Sequence, residues 1–575
     1  MKELLRRVQA RPLVAVEMAF GSLLVNVLAM ASPLFVMQIL NRYVGQGVDA
    51  TLFTLTSGVL IAIGFEFALR RSRLSLARGI SVGPDEAIAL RAFDTLTSAK
   101  VPALDQTPAE TRKEIVNGTT AIEAAYNATN ITTVLDAPFS LLFIFVLYIV
   151  EPMLAGVTLL FVIGVYAIGL YGHHKLQSIT LELQQVSGEG GGLLSTATRE
   201  ADMIRSFNAG DFIRQRWYGH ITHAQKLRRD LNATQGLVQT LTGSAMALLS
   251  VCVIGIGAVL VVSGKLDVGA MIGGNILAAR ALQPVTRLAQ LGSAFARARQ
   301  SKAVFDQLDA IEREATAGAT VSAYSGKLEF RDAAFSYPGS KLPIFESLNL
   351  TVGPGDVLVV LGNNGTGKST FARLLLGLIE PVRGQILVDG LDMKQLAPDW
   401  WRRQVVYLPQ EPALLNATIR ENLTVNNRDL DDAGLAAIVE KCGLKRYLDE
   451  SPDGLDAMIR DNGWRLSEGI RRRIALGRAL ATDGQLVIID EPTESLDDEG
   501  CKAVYRVLAS MADQKRTIVV MSHDKDIVKG SHLRLDLNFK PVPRLEKFGT
   551  KLLAKPVQQI EGPDKPNESD KGAAS

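Results

Sequence analysis

The sequence predicts two folds in tandem, an all-α domain of six membrane-spanning helices followed by an α/β domain. Three observations predict it. The first half holds six stretches of mostly apolar residues, each near the roughly 20 residues a helix needs to cross the hydrocarbon core of a bilayer. From residue 326 the pattern changes to short apolar strands alternating with helical segments, the rhythm of a mainly parallel sheet covered by helices. One of those strands runs into Gly362-Asn363-Asn364-Gly365-Thr366-Gly367-Lys368-Ser369 and then a helical run. That strand–loop–helix setting makes the second domain a P-loop nucleotide-binding domain.

The chain has 575 residues and a net charge of +2. It is too long for one ordinary domain, and so small a charge supplies no field for nucleic acid, which is not expected as a partner. A mean hydropathy of +0.15 over such a length points to a lipid bilayer around much of the chain. Cys252, Cys442 and Cys501 stand too far apart for a metal or redox motif. They fit a reducing compartment better than a disulfide-stapled secreted domain. The basic start, with Lys2, Arg6, Arg7 and Arg11, leads into an apolar run with no small-residue cleavage site behind it, and reads as a retained first span.

The spans fall at 16–40, 51–69, 131–150, 153–171, 237–263 and 268–291, the sixth being weakest because Arg280 and Arg287 interrupt it. The joints between spans one and two, three and four, and five and six are short; the other two run to about sixty residues each. The long joints carry Arg70, Arg71, Arg73, Arg78, Lys175, Arg199, Arg205, Arg214, Arg216, Lys226, Arg228 and Arg229, whereas the short ones carry Arg42 and Lys265. The positive-inside rule then sets both termini and the long joints in the cytoplasm. Helical periodicity makes those joints helices that extend beyond the bilayer. Glu66 and Asp136 lie at membrane depth near the cytoplasmic ends of their spans. Intramembrane charges are functional candidates by default, but with Arg70 one turn from Glu66 both acids are read as interfacial anchors. The boundaries that follow are a cytoplasmic segment 1–15, a membrane domain 16–310, a linker 311–325, a nucleotide-binding domain 326–540 and a tail 541–575. The tail is rich in Lys, Pro, Glu, Asp and Ser and is expected to be disordered.

A triphosphate needs several backbone N–H donors at close range, and glycines let a loop wrap that tightly. In residues 362–369 the following helix adds its positive end, Lys368 reaches the β/γ-phosphates, and Ser369 offers a hydroxyl to Mg²⁺. Thr370 extends this ATP-binding run. The second motif is Leu486-Val487-Ile488-Ile489-Asp490-Glu491-Pro492. Its hydrophobic strand delivers Asp490 to the Mg²⁺ shell, and Glu491 follows where it can polarise an attacking water. Either acid alone would read as an ordinary strand end; beside a P-loop it does not.

Arg465-Leu466-Ser467-Glu468-Gly469-Ile470-Arg471-Arg472-Arg473, shortly before the acidic strand, resembles the signature sequence of ATP-binding cassette (ABC) proteins. Other positions match the same family pattern. Tyr337 resembles the aromatic that stacks on adenine, and Gln410 the glutamine that links Mg²⁺ and water to the membrane domain. Ser495-Leu496-Asp497 resembles the loop that communicates across the cassette dimer, and His523 the histidine that contacts the γ-phosphate. The resemblance covers about residues 326–535. It implies ATP and Mg²⁺ as cofactors, Lys368, Glu491 and His523 as catalytic residues, and Ser369, Asp490 and Gln410 around the metal. Ser467, Gly469 and Asp497 join the nucleotide contacts. Two positions depart from the usual Leu-Ser-Gly-Gly-Gln: Glu468 replaces the first glycine and Ile470 the glutamine. A carboxylate beside the γ-phosphate of an opposite subunit is expected to slow the ATPase unless it points at Arg471 or Arg472.

Signature and phosphate loop lie on opposite faces of a family cassette, so one of each implies a half-transporter that works as a twofold homodimer. Six spans ahead of the cassette resemble the exporter branch. More narrowly, residues 31–44 and Leu135-Asp136-Ala137-Pro138-Phe139 resemble the first and third spans of type I protein-secretion exporters, the haemolysin, alkaline-protease and adhesin exporters of Gram-negative bacteria. That resemblance implies the bacterial inner membrane, a periplasmic adaptor, an outer-membrane channel, and an unfolded secreted polypeptide with a C-terminal signal. With so few residues before the first span, the peptidase-like domain of some relatives is not expected, nor is leader cleavage. Residues 108–123 and 207–216 stand where coupling helices would dock. Exporters of lipids or small molecules share the architecture. A membrane-anchored ATP-binding regulator is the non-enzymatic alternative, and Glu491 with His523 speaks against it.

Overall fold

The computed structural model describes residues 2–45, 47–340, 342–494, 496 and 498–548. The chain divides into two compact units, a helical one of Met1–Ala99 with Ala103–Glu312 and a second of Lys100–Pro102 with Arg313–Ser575.

Helices suit the first unit because lipid offers no partner for backbone N–H and C=O groups, which a helix pairs within itself. Five helical stretches among the described residues are long and apolar enough to cross a membrane: Pro12–Val44, Asp49–Ser98, Ala128–Val150, Pro152–Arg199 and Gly210–Val262. Helices α1 (Lys2–Ala10), α2 (Pro12–Leu28) and α3 (Ala31–Gln38) precede the long α4 (Asp49–Ser98). At 50 residues α4 has the length to run about 75 Å, well beyond a bilayer core, as the periodicity of the long joints predicts. Helix α5 (Ser140–Val150) buries Phe143, Ile144 and Leu147 and leaves Leu141, Phe145 and Ile149 exposed. A continuous apolar face of this kind needs lipid or a partner against it.

The sixth span, α6 (Val268–Gln290), is not one of the five apolar helices. Asn275, Arg280, Gln283 and Arg287 lower its hydropathy, while Leu277, Ala278, Ala281 and Leu282 are fully buried on the other side. It also approaches the first span closely, since a Cβ at Gly273 would lie 2.2 Å from Met37 Cγ. Packing, not hydropathy, makes it a core helix.

Within the 1–15 segment α1 buries Glu3, Leu4 and Arg7, Arg7 pairs with Asp85 at 2.6 Å, and Arg11 donates to the Gly79 carbonyl at 2.8 Å. Asp136, expected as an interfacial anchor, is held by partners from two other helices. Arg73 grips it with both Nη atoms, at 2.5 and 3.1 Å, and Asn26 donates to it at 3.3 Å. Arg73 also donates to Ser22 at 2.9 Å. The cluster ties α2 to α4 and to the short helix Ala128–Asp136. Glu66 keeps its expected partner, Arg70, at 2.6 Å. The stretches read as coupling helices fall within Ala109–Ala125 and at the start of Gly210–Val262; the short helices nearby are Val101–Asp105 and Ala201–Ser206.

The second unit holds two sheets where the sequence reading foresaw one. Strands β1 (Leu328–Phe335), β2 (Phe345–Val352), β4 (Arg383–Val388) and β5 (Leu391–Asp392) form an antiparallel sheet in the order β2-β1-β4-β5. Strand β2 alternates buried Leu348, Leu350 and Val352 with exposed Asn349 and Thr351, the pattern of a sheet wetted on one face. The other sheet has the order β10-β9-β3-β8-β7-β6, where β3 is Val357–Leu361, β6 Val405–Leu408, β7 Leu486–Asp490, β8 Thr517–Met521, β9 Leu533–Asp536 and β10 Arg544–Lys547. It is parallel from β9 to β6. Every residue of β7 and β8 is buried, because helices cover both faces.

Two boundaries shift. Strand β10 pairs antiparallel with β9, so the sheet runs past the tail boundary at residue 541; residues 549–575 of the tail lie outside those described. At the other end, linker residues belong to the cassette: Tyr324 is buried edge-on against Trp401, and Arg402 pairs bidentately with Glu314 at 2.7 and 2.8 Å.

Candidate functional site

The site stands at the carboxyl ends of β3, β7 and β8. Strand β3 ends at Leu361, the loop turns through Gly365 (φ +81°) and Gly367 (φ +107°), and α7 (Lys368–Leu375) begins. Both glycines sit in the left-handed region, and a Cβ on Gly367 would lie 2.3 Å from Ile344 Cγ2. The first hydrogen bond into the helix runs from Phe371 N–H to the Gly367 carbonyl, 2.8 Å. The N–H groups of Lys368, Ser369 and Thr370 therefore point out of a positive helix end. Thr366 closes the loop by donating to the Asn363 carbonyl at 2.9 Å, and Asn363 N–H donates to Asn538 at 2.9 Å.

Lys368 is the hub. Its buried ammonium donates to the Gly362 carbonyl at 2.8 Å and lies 3.0 Å from Glu491 Oε1 and 3.1 Å from His523 Nε2. His523 Nε2 lies 2.9 Å from the same carbonyl. Beside this cluster Ser369 Oγ donates to Asp490 Oδ2 at 2.9 Å. The other Asp490 oxygen, Oδ1, is buried with no hydrogen-bond partner. Burial raises the Asp490 carboxyl above its usual range, and Glu491 adds to the rise, while the Ser369 hydrogen bond and Lys368 oppose it. Glu491 leaves the strand in the left-handed region (φ +46°), its N–H held by the Met521 carbonyl at 2.8 Å.

Of the residues singled out by sequence, Gly362, Lys368, Ser369, Asp490, Glu491 and His523 meet directly. Tyr337 reaches the same helix through its hydroxyl, 3.1 Å from Thr370 Oγ1. Gln410 does not touch the Ser369–Asp490 pair here; its amide donates to Glu494 at 3.1 Å. Ser467 caps α8 (Glu468–Leu480), accepting from Ile470 N–H at 3.4 Å, and open space surrounds the Cβ direction of Gly469. Asp497 and Ser495 lie outside the described residues. Sequence reading named Arg472 only as one of two possible partners for Glu468; it missed Glu494 and the reach of Arg472 to Glu491. The buried Arg472 donates to the Glu491 carbonyl at 2.8 Å and to Glu494 at 3.4 Å. A run of three arginines in the signature was the available signal, but it does not say which one turns inward.

Two family patterns match the chain, the ABC transporter transmembrane region over residues 16–285 and the ABC transporter ATP-binding region over 345–494. The chain is an ABC transporter. Its cassette is accordingly an ATPase, and its helical unit is an exporter-type transmembrane domain. Among relatives of this ABC transporter, the alpha-hemolysin translocation ATP-binding protein HlyB of Escherichia coli O157:H7 is 27% identical over 90% of this chain and 74% of its own length. The leukotoxin export ATP-binding protein LtxB of Aggregatibacter actinomycetemcomitans is 26% identical over 90% and 73%. An ATP-dependent lipid A-core flippase of Aromatoleum aromaticum is 29% identical over 63% of each chain. Among solved structures, a bacterial Atm1-family ABC exporter with ATP bound superposes with a TM-score of 0.78 over 93% of this chain and 94% of its own, at 19% identity. That likeness speaks for the fold.

Proposed function

We propose that this chain is half of a homodimeric exporter in a bacterial inner membrane, with its cassette and both termini cytoplasmic, and that it moves an unfolded polypeptide outward as the ABC component of type I secretion. The observation that carries the hydrolytic part is the cluster of Lys368, Glu491 and His523 with Asp490 and Ser369 beside it, a full set within one chain.

The ATP phosphates lie across the N-terminus of α7, held by loop N–H groups of residues 362–370. The Lys368 ammonium turns from Glu491 to the β/γ-phosphates, which frees the Glu491 carboxylate to orient and polarise the attacking water. His523 turns its Nε2–H to the γ-phosphate. Positioning and charge stabilisation of this kind account for most of the catalysis in phosphoryl transfer. Mg²⁺ fits the residues present: Asp490 Oδ1 is a buried acceptor with no hydrogen-bond partner, next to the Ser369 hydroxyl. Ser369, Asp490 and, on leaving Glu494, Gln410 would hold the ion, which would supply positive charge to the phosphates. Tyr337 takes the adenine. Ser467, exposed, and Gly469, half-buried, at the start of α8 complete the site of a second copy, with Asp497 in the loop between copies.

The toxin-translocating relatives, matched over nine-tenths of the chain, support a polypeptide cargo; its hand-over to a periplasmic adaptor and an outer-membrane channel belongs to the same proposal. The flippase relative supports a lipid cargo as the second reading, over a shorter span. The test is export from cells carrying Lys368→Ala or Glu491→Gln. Loss of a secreted polypeptide in both variants supports the proposal. Normal secretion with altered lipid A distribution would replace it by the lipid reading, and undiminished ATP turnover in Glu491→Gln would remove Glu491 from its role.

A further inference from the structure

Glu468 brings a negative charge to the first turn of α8, on the face where Ser467 and Gly469 await a nucleotide. The structure shows what meets that charge. Glu468 Oε1 lies 3.4 Å from Nε of Arg472, one turn further on. Arg472 is only 5% exposed, and its other nitrogens face the catalytic cluster. Nη1 donates to the Glu491 carbonyl at 2.8 Å, and Nη2 donates to Glu494 Oε2 at 3.4 Å. That same Glu494 oxygen accepts from Gln410. The neighbouring arginines are engaged elsewhere: Arg471 lies 4.8 Å over the Trp464 ring and Arg473 donates to the Gly443 carbonyl.

We infer that Arg472 is a positioning residue for hydrolysis, holding the Glu491 peptide by its carbonyl while neutralising Glu468, and so making a carboxylate tolerable in the signature. Glu491 carries a left-handed backbone without being glycine, a conformation that persists only where the surroundings over-determine it. Here the Met521 carbonyl holds the N–H on one side of the Glu491 Cα and Arg472 holds the C=O on the other, which aims the Glu491 side chain at Lys368. A guanidinium suits the task because its planar fork donates to two acceptors while its charge faces Glu468, whereas an ammonium is a single point of charge. The arrangement is asymmetric. Without Glu468, Arg472 keeps two partners; without Arg472, the carboxylates of Glu468 and Glu494 face a polyanion unopposed. The inference rests on Glu491 acting on the attacking water.

The test is a double-mutant cycle on the purified full-length transporter, read as kcat and KM for ATP. Arg472→Gln is expected to lower kcat about 30-fold with KM moved by no more than about threefold. Glu468→Gln alone should change kcat by less than about threefold, and the double variant should recover about fivefold or more over Arg472→Gln. Arg472→Lys, which restores charge but not the fork, should regain only a minor part. Effects that simply multiply in the double variant, or an Arg472→Gln variant changed in KM alone, would overturn the inference. If Arg472→Gln does not fold, Arg472→Lys takes its place in the cycle and the same outcomes decide. A wild type without turnover would strike the hydrolytic reading itself, a different result from an additive cycle.

Discussion

Two aspartates, one in each unit, show how differently the same side chain is used. Asp136 in the helical unit has both oxygens occupied, by the Arg73 fork and by Asn26. Asp490 in the cassette has one oxygen on Ser369 and the other buried without a partner. Backbone geometry separates them too: Asp136 ends an ordinary helical turn, whereas Asp490 precedes Glu491 in its left-handed conformation. In the first arrangement both carboxylate oxygens find partners within the chain. The second is left open to something the chain does not itself supply. Satisfied polar clusters hold a fold together, and a buried acceptor with no partner marks where a ligand completes the chemistry.

The comparison can be broken most directly at the open cluster. Lys368→Ala removes the hub ammonium, and ATP turnover of the purified protein should fall about 100-fold or more. Asp490→Asn should lower Mg²⁺-dependent turnover by a similar factor of about 100 while leaving the thermal midpoint of the nucleotide-free protein unchanged or higher, because it deletes an unpaired buried charge. Asp136→Asn should behave in the opposite way. It leaves Arg73 without its counter-charge, so the helical unit should lose about 3 kcal/mol, seen as a lower melting temperature in detergent. A fall in stability for Asp490→Asn equal to that for Asp136→Asn would erase the distinction drawn here.

A pH series sharpens it further. The Asp490 carboxyl is raised, chiefly by burial, so on raising the pH the unfolded chain gives up this proton before the folded one does. The nucleotide-free fold therefore loses stability between the ordinary carboxylate value and the raised one, and that loss persists to neutral pH. Acidifying through this window should raise the melting temperature of the Mg²⁺-free wild type relative to Asp490→Asn. The smallest effect is expected at Tyr337. Tyr337→Ala should raise the KM for ATP by about fivefold with little change in kcat, as loss of a uniform binding contact does.

Much of the site was legible before any coordinates. Lys368, Ser369, Asp490 and Glu491 are contiguous within their motifs, and motif spacing translates directly into a loop before a helix and an acid at a strand end. Glu494 was not legible, and neither was the reach of Arg472 beyond Glu468. Their importance comes from one guanidinium crossing between α8 and the end of β7, and nothing local in either segment states that they meet. The antiparallel sheet was missed too. Residues 328–330 of β1 were seen, but β2, which follows it directly in the chain, and β4 were not read as strands. In the membrane half, hydropathy found five spans well. It undervalued α6, whose inward face is made of Gly, Ala and Leu and whose other face is polar.

By itself, then, the sequence determined the division into a spanning half and a cassette, the phosphate loop and the acids that follow its partner strand. These are written in composition and in short, contiguous runs, where local geometry follows from residue type. Only the tertiary structure decided which charges are paired and which are left open: Arg73 with Asp136, Arg472 with Glu468, and Asp490 with one oxygen in reserve. Pairing depends on distances between segments far apart in the chain, and a single ångström there separates a closed ion pair from a binding site.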